Sequence, residues 1–173
     1  MIYGDIMTNV ISIQPLTPEF FPDFSRLIVA LAEYECLTPP DAQAFARMEE
    51  HAFAARPKFE AFLSFYGDKA VGYAVIFETY SSFLAKPTLY LEDLFVLPDF
   101  RSVKIGLSLF RFVAGEALKR GCGRMEWQVL DWNELALNFY RKLGAQHLEG
   151  WLPYRLTEEG LRKITESTTI ATP

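Results

Sequence analysis

Apolar positions along this chain alternate, then recur every three or four residues, and then alternate again. Residues 10–14 (Val-Ile-Ser-Ile-Gln) are rich in β-branched side chains and predict a short strand. Thr17-Pro18-Glu19 is a helix-start signal, after which Phe20, Phe24, Leu27, Leu31 and Tyr34 line one helical face. Pro39-Pro40 breaks the chain, and a second helix is expected over 41–54. Residues 59–66 and 71–79 read as two strands joined by the tight-turn pair Gly67-Asp68. A further long strand run covers 89–97. Leu109, Val113 and Ala117, with Phe110 and Ala114, predict a helix over 104–120 that Gly121 and Gly123 close. A strand over 125–130 follows, then a helix over 133–143 ending at Gly144. One or two strands within 146–156 and a short helix over 157–164 complete the pattern.

Strands gathered in the middle, with helical stretches on either side, imply an α/β (α+β) fold with helices on both faces of a mixed sheet. The length, 173 residues, suits one domain. We place it over 10–166, with a loose extension at 1–9 and a flexible tail at 167–173. No internal repeat or linker interrupts it.

Composition narrows the function. Half of the residues are hydrophobic, so disorder is not expected outside the ends. The net charge is −5 and the basic residues are scattered, so the stripe that a nucleic-acid binder presents is missing. An acidic protein suits a cationic small substrate. Cys36 and Cys122 form neither a metal motif nor a disulfide framework. His51 and His147 are isolated, so no metal is expected. No Gly-x-Ser-x-Gly elbow is present, which argues against a serine hydrolase. No signal peptide is evident and no apolar run approaches the ~20 residues that span a bilayer. The expectation is a cytoplasmic protein without membrane partners.

Three segments carry chemistry. In Leu89-Tyr-Leu-Glu-Asp-Leu-Phe-Val-Leu97, strict alternation puts Tyr90, Glu92, Leu94 and Val96 on one face and Leu91, Asp93, Phe95 and Leu97 on the other. Either way a carboxylate interrupts an apolar face, which is costly without a partner or a raised pKa. A buried arginine or a helix N-terminus as partner is the ordinary alternative to a functional role. Pro98-Asp-Phe-Arg101-Ser-Val-Lys-Ile-Gly106 then leads from strand to helix, where outward amides make an anion site. Arg101 and Lys104 add charge suited to a pyrophosphate, although any strand-to-helix loop has free amides. In Asp131-Trp-Asn133-Glu-Leu-Ala-Leu-Asn-Phe-Tyr140-Arg-Lys-Leu-Gly144, Asn133 is a good helix N-cap. Tyr140 shares its face, ~10 Å along the axis. Such a phenol is either a proton donor or an ordinary boundary tyrosine.

Taken together, these segments resemble the GNAT acetyltransferase superfamily, and within it the diamine (spermidine/spermine) and thialysine N-acetyltransferase group. The resemblance runs over 11–164 and includes Leu-Ala-Glu-Tyr34-Glu35, Tyr-Leu-Glu92-Asp93 and Val-Leu-Asp-Trp-Asn133. It implies a mostly antiparallel sheet of six to seven strands, splayed where acetyl-CoA binds between the strands ending at Val96 and Leu130. Backbone groups of Leu94, Phe95 and Val96 would hold the pantetheine arm, with Asn133 on its other side. Amides of Arg101, Ser102, Val103, Lys104, Ile105 and Gly106 would cradle the pyrophosphate, and Arg141 and Lys142 would meet the outer phosphates. By the same resemblance, Tyr140 protonates the departing thiolate. Glu92 would deprotonate the attacking amine, while Asp93, Glu35 and Tyr34 bind a second ammonium of a polyamine, diamine or lysine analogue. A homodimer is also implied.

The sequence departs from that pattern in the loop. Lys104 stands where the superfamily usually has glycine, and Ser102 where many members do. Phe83 stands where the group often has tryptophan. Two other functions therefore stay in view: acetylation of a different amine (an amino acid, an aminoglycoside-like amine or a protein amine), or a non-catalytic acyl-CoA sensor.

Overall fold

The computed structural model describes residues 10–166, apart from the Ser102 side chain. The chain divides into two compact units, Met1–Gln128 and Val129–Pro173.

The first unit holds a five-stranded sheet in the order β1 (Ile11–Pro15), β2 (Glu60–Tyr66), β3 (Lys69–Ser81), β4 (Lys86–Val96), β5 (Arg124–Trp127). Every pairing is antiparallel except β4 with β5, which is parallel. Gly67 takes φ 59° in the β2–β3 turn, a backbone state that glycine tolerates without cost. Gly72 is confined by space instead. A Cβ there would lie 2.6 Å from the Phe95 carbonyl oxygen and 2.8 Å from Ser64 Oγ.

Helices cover both faces, as the periodicity predicts. α1 (Phe21–Tyr34) lays Phe21, Phe24 and Leu27 on one face, against Leu63, Tyr73, Val75 and Phe95. α3 (Ile105–Lys119) lays Ile105, Leu109, Val113 and Ala117 on the other, against Val71, Ile76, Leu89, Leu91 and Val96. Each buried Phe, Leu, Ile or Val among them contributes about 1.5–3 kcal/mol by leaving water. α2 (Ala42–Ala52) starts where Asp41 caps it by accepting from the Ala44 amide at 2.7 Å.

The second unit contains α4 (Glu134–Lys142) and α5 (Glu158–Glu166). Here two expectations fail. The sheet has five strands among the described residues rather than six to seven, and 146–156 holds no strand. Gly150 turns the backbone to φ 83° and Pro153 lacks an amide hydrogen. Among the described residues of its own unit the segment has no strand to pair with, and a lone strand is not stable.

Candidate functional site

The site begins with an irregularity in β4. Val75 pairs with Asp93 and the next residue, Ile76, pairs with Leu91, so Glu92 is an extra residue bulged from the ladder. The bulge resets the alternation. Leu89 and Leu91 face α3, and beyond the bulge Leu94 and Val96 do so too, while Phe95 faces α1. The expected faces are thereby corrected. Leu91 parts from Asp93 and Phe95, and Tyr90 parts from Leu94 and Val96 to meet the Phe77 ring at 5.0 Å. Glu92 is exposed on the bulge, and Asp93 alone of the two carboxylates is drawn inward.

The bulge lies just past the place where β4 loses its parallel neighbour. The last pair between β4 and β5 is Leu91 with Trp127, and β4 continues from Glu92 to Val96 with no strand paired to that edge among the described residues. The Leu97 amide donates to the Val71 carbonyl at 2.9 Å, so odd residues of this stretch turn their backbone towards β3. Phe95 is one of them. The backbone groups of Leu94 and Val96 point the other way, along the open edge. There the Val96 carbonyl accepts from Arg101 Nε at 3.0 Å.

Asp93 accepts a hydrogen bond from the Tyr73 hydroxyl at 3.3 Å. Burial raises its carboxyl from the ordinary 3.8 to about 6; the Glu92 charge adds to this, the Tyr73 bond opposes it, and the Glu35 charge adds again. Glu35 caps the C-terminus of α1, and burial raises its carboxyl as well. The preceding residue, Tyr34, lies under the Arg101 guanidinium, 4.4 Å from ring centre to Cζ, and 6.4 Å from the Phe95 ring. The acidic residues at the end of α1 and on β4 therefore form one half-buried anionic cluster.

After β4 the chain makes a 3-10 turn over Pro98–Val103, containing Arg101, Ser102 and Val103. Lys104 then takes φ 64° and ψ 15°, the left-handed state, and caps α3. A glycine-type backbone is thus kept by a residue that bears the strain of a Cβ. Ile105 anchors the turn in the core, and the first amides of α3, Ile105 and Gly106 among them, have no partner within the helix. The side chain of Arg101, expected to add charge for a pyrophosphate, is engaged by the Val96 carbonyl and the Tyr34 ring. The side chain of Ser102 lies outside the described residues.

In the second unit, Asn133 caps α4 by accepting from the Ala136 amide at 3.2 Å. Tyr140 lies two turns on, its ring 5.3 Å from that of Phe139. Burial pushes its phenol up to about 12, so it holds its proton at working pH. Arg141 bonds Asn138 at 3.0 Å and lies 3.6 Å from Glu134, and Lys142 ends the helix.

Of the residues expected from sequence, the first unit gathers Tyr34, Glu35, Glu92 and Asp93 around the start of the open edge. Asn133, Tyr140 and Arg141 share α4. Tyr73 was missed. It lies in a run, Ala70 to Phe77, that reads as plain core, and its partner is twenty residues away in sequence. A single hydroxyl amid apolar neighbours was the available signal. Among the described residues no group of three His, Cys, Asp or Glu side chains could hold a metal, and no helix is long and apolar enough to cross a membrane.

Comparison with known proteins places these features in a family context. Residues 24–145 match the acetyltransferase (GNAT) family. A mouse thialysine N-epsilon-acetyltransferase is 34% identical over 153 residues, covering 82% of this chain and 89% of that protein. An Arabidopsis thaliana L-ornithine N5-acetyltransferase is 44% identical over 93 residues, which is 54% of this chain and 41% of that protein. In shape, an integron cassette protein of V. cholerae superposes with a TM-score of 0.79 at 24% identity, over 91% of this chain and 98% of its own. An aminoglycoside N-acetyltransferase solved with CoA does so at 0.69 and 23% identity, over 85% and 95%.

Proposed function

The chain belongs to the acetyltransferase (GNAT) family, and on that premise we propose that it moves acetyl from acetyl-CoA to a primary amine of a diamine, polyamine or lysine analogue. The observation that carries this reading is the bulge at Glu92. It puts two adjacent carboxylates, one exposed and one drawn inward, at the start of an open strand edge. The first can take a proton and the second can hold a charge.

The open edge fits a pantetheine arm, which carries amides. Leu94 offers its amide and carbonyl there, and Val96 its amide. The Lys104 backbone fits a phosphate loop, because the conformation that glycine usually supplies is retained. That retention weighs against a sensor with a lost cofactor loop. In this reading amides of 101–106 hold the pyrophosphate, Asn133 the arm, and Arg141 and Lys142 the outer phosphates. The acyl donor supplies a thioester carbonyl and a thiolate leaving group.

An alkylammonium has a pKa near ~10.4, so it must lose a proton before its nitrogen can attack. Glu92 removes that proton directly or through water, a role worth ~10²–10⁴ in rate. Tyr140 returns a proton to the thiolate as the carbon–sulfur bond breaks. Asp93 and Glu35, with Tyr34 beside them, bind the substrate's second ammonium. The protein acts as a homodimer in the cytoplasm.

The test follows CoA thiol release with putrescine, spermidine, ornithine, thialysine, lysine, an aminoglycoside and a lysine peptide. Turnover with one or more diamines or lysine analogues, above the aminoglycoside and the peptide, is expected. Turnover confined to the aminoglycoside or the peptide would move the assignment to that acceptor.

A further inference from the structure

Tyr73 lies at the centre of β3 and is fully buried. Its ring meets Phe24 edge-on at 5.2 Å and Phe95 at 6.2 Å. A phenylalanine would make the same ring contacts and would bring no polar group into the core. The hydroxyl is therefore the informative atom, since burying one is costly unless it is bonded. It is bonded to Asp93 Oδ2 at 3.3 Å. Tyr73 stands opposite Phe95 in the ladder, and Asp93 is the diagonal neighbour on the same face, two residues along.

Resting on the diamine reading above, we propose that Tyr73 is a positioning residue that sets the preference for a doubly charged amine. Its hydroxyl holds one oxygen of Asp93 from the core side and leaves the other, among Glu35 and Glu92, for the substrate's second ammonium.

The surroundings fit this role. The groups that face Asp93 are Tyr73 from β3, Glu92 from β4 itself and Glu35 from the end of α1. Glu92 and Glu35 both disfavour a charged Asp93, and Tyr73 alone of the three favours it. Arg101, in the turn after β4, is engaged by the Val96 carbonyl and the Tyr34 ring. The phenol cannot switch roles: burial, the Asp93 charge and then the Glu35 charge hold its pKa well above 10. It is thus a permanent donor, and its bond favours the charged carboxylate that burial and the two neighbouring carboxylates disfavour. A monoamine has no second ammonium to present, so the contribution of Tyr73 should be read only by diamines.

The experiment compares wild type with Tyr73→Phe on 1,4-diaminobutane and butylamine, with acetyl-CoA, from pH 5.5 to 8.5. The kcat/KM ratio of diamine to monoamine should fall about tenfold in the variant, as expected for losing a hydrogen bond to a charged group. The acid limb of the diamine KM profile should also move to higher pH. An unchanged ratio, or equal losses on both amines, would overturn the role. Asp93→Asn should lower the same ratio, and the double variant should fall no further; additive losses would show that Tyr73 does not act through Asp93. Two measurements do not depend on turnover. Carbon-13 titration of the Asp93 carboxyl should show a higher midpoint in Tyr73→Phe, and an unmoved midpoint would overturn the proposal. In wild type alone, that carbon should show an isotope shift on transfer to D2O at pH 8, and its absence would do the same, even if the variant failed to fold. A wild type inert on both amines would instead remove the diamine reading.

Discussion

At the scale of single residues, the site spends stability on charge. Asp93 has its carboxyl raised to about 6 by burial. A raised carboxyl means that the native state binds a proton more readily than the unfolded chain, so this contribution is present below pH 4 and lost as pH rises through 6. Asp93→Asn should therefore raise the melting temperature at pH 8 more than at pH 5, by on the order of 1–2 kcal/mol in stability, while the diamine KM rises. Scanning calorimetry at the two pH values checks it, and equal gains would contradict the sign. Lys104 is a second strained residue. Replacing it by glycine removes the Cβ penalty at φ 64° and should gain on the order of 0.5–1 kcal/mol in thermal unfolding. Tyr140→Phe should lower kcat at least 100-fold, with acetyl-CoA affinity by calorimetry nearly intact. Unchanged turnover would remove Tyr140 from the mechanism.

At the scale of elements, the sequence was informative where one local rule decides and silent where hydrogen bonding between distant segments decides. The apolar face of α1 and the Leu109, Val113, Ala117 stripe of α3 follow from helical spacing, and the β2–β3 hairpin follows from Gly67-Asp68. Each needs only its own residues. The bulge at Glu92 was invisible, because alternation counts residues and a bulge adds a residue without adding a ladder position. Strands in 146–156 were misread for a related reason: apolar side chains suit a strand, but a strand exists only with a partner. Tyr73 was hidden since its meaning comes from β4. The same reasoning gives an element-scale prediction. Gly72→Ala would push a methyl group into the Phe95 carbonyl and separate β3 from β4. A loss of at least about 2 kcal/mol in urea unfolding is expected, well beyond the ordinary glycine-to-alanine change. Diamine turnover should fall with it, as Phe95 and Asp93 move together.

At the scale of the whole molecule, a net charge of −5 sets how substrates arrive. A dication gains more from that field than a monocation, and salt screens it. Raising ionic strength from 0.05 to 0.5 M should increase KM for a diamine more than for a monoamine, with little change in kcat; equal increases would show that the charge acts only locally. Acetyl-CoA at 100 times its dissociation constant should stabilise the fold by about 2.7 kcal/mol, a rise of roughly 5–10 °C in melting temperature for a chain of this size. The unpaired edge of β4 carries that idea further. Among the described residues the Leu94 amide and carbonyl and the Val96 amide lie on this edge without a neighbouring strand, and such edges are templates on which other chains can stack. A cosubstrate lying along this edge would act as a surrogate strand. Cofactor supply would then govern the colloidal fate of the enzyme as well as its rate: on warming, turbidity should appear earlier in CoA-free solutions than in CoA-replete ones.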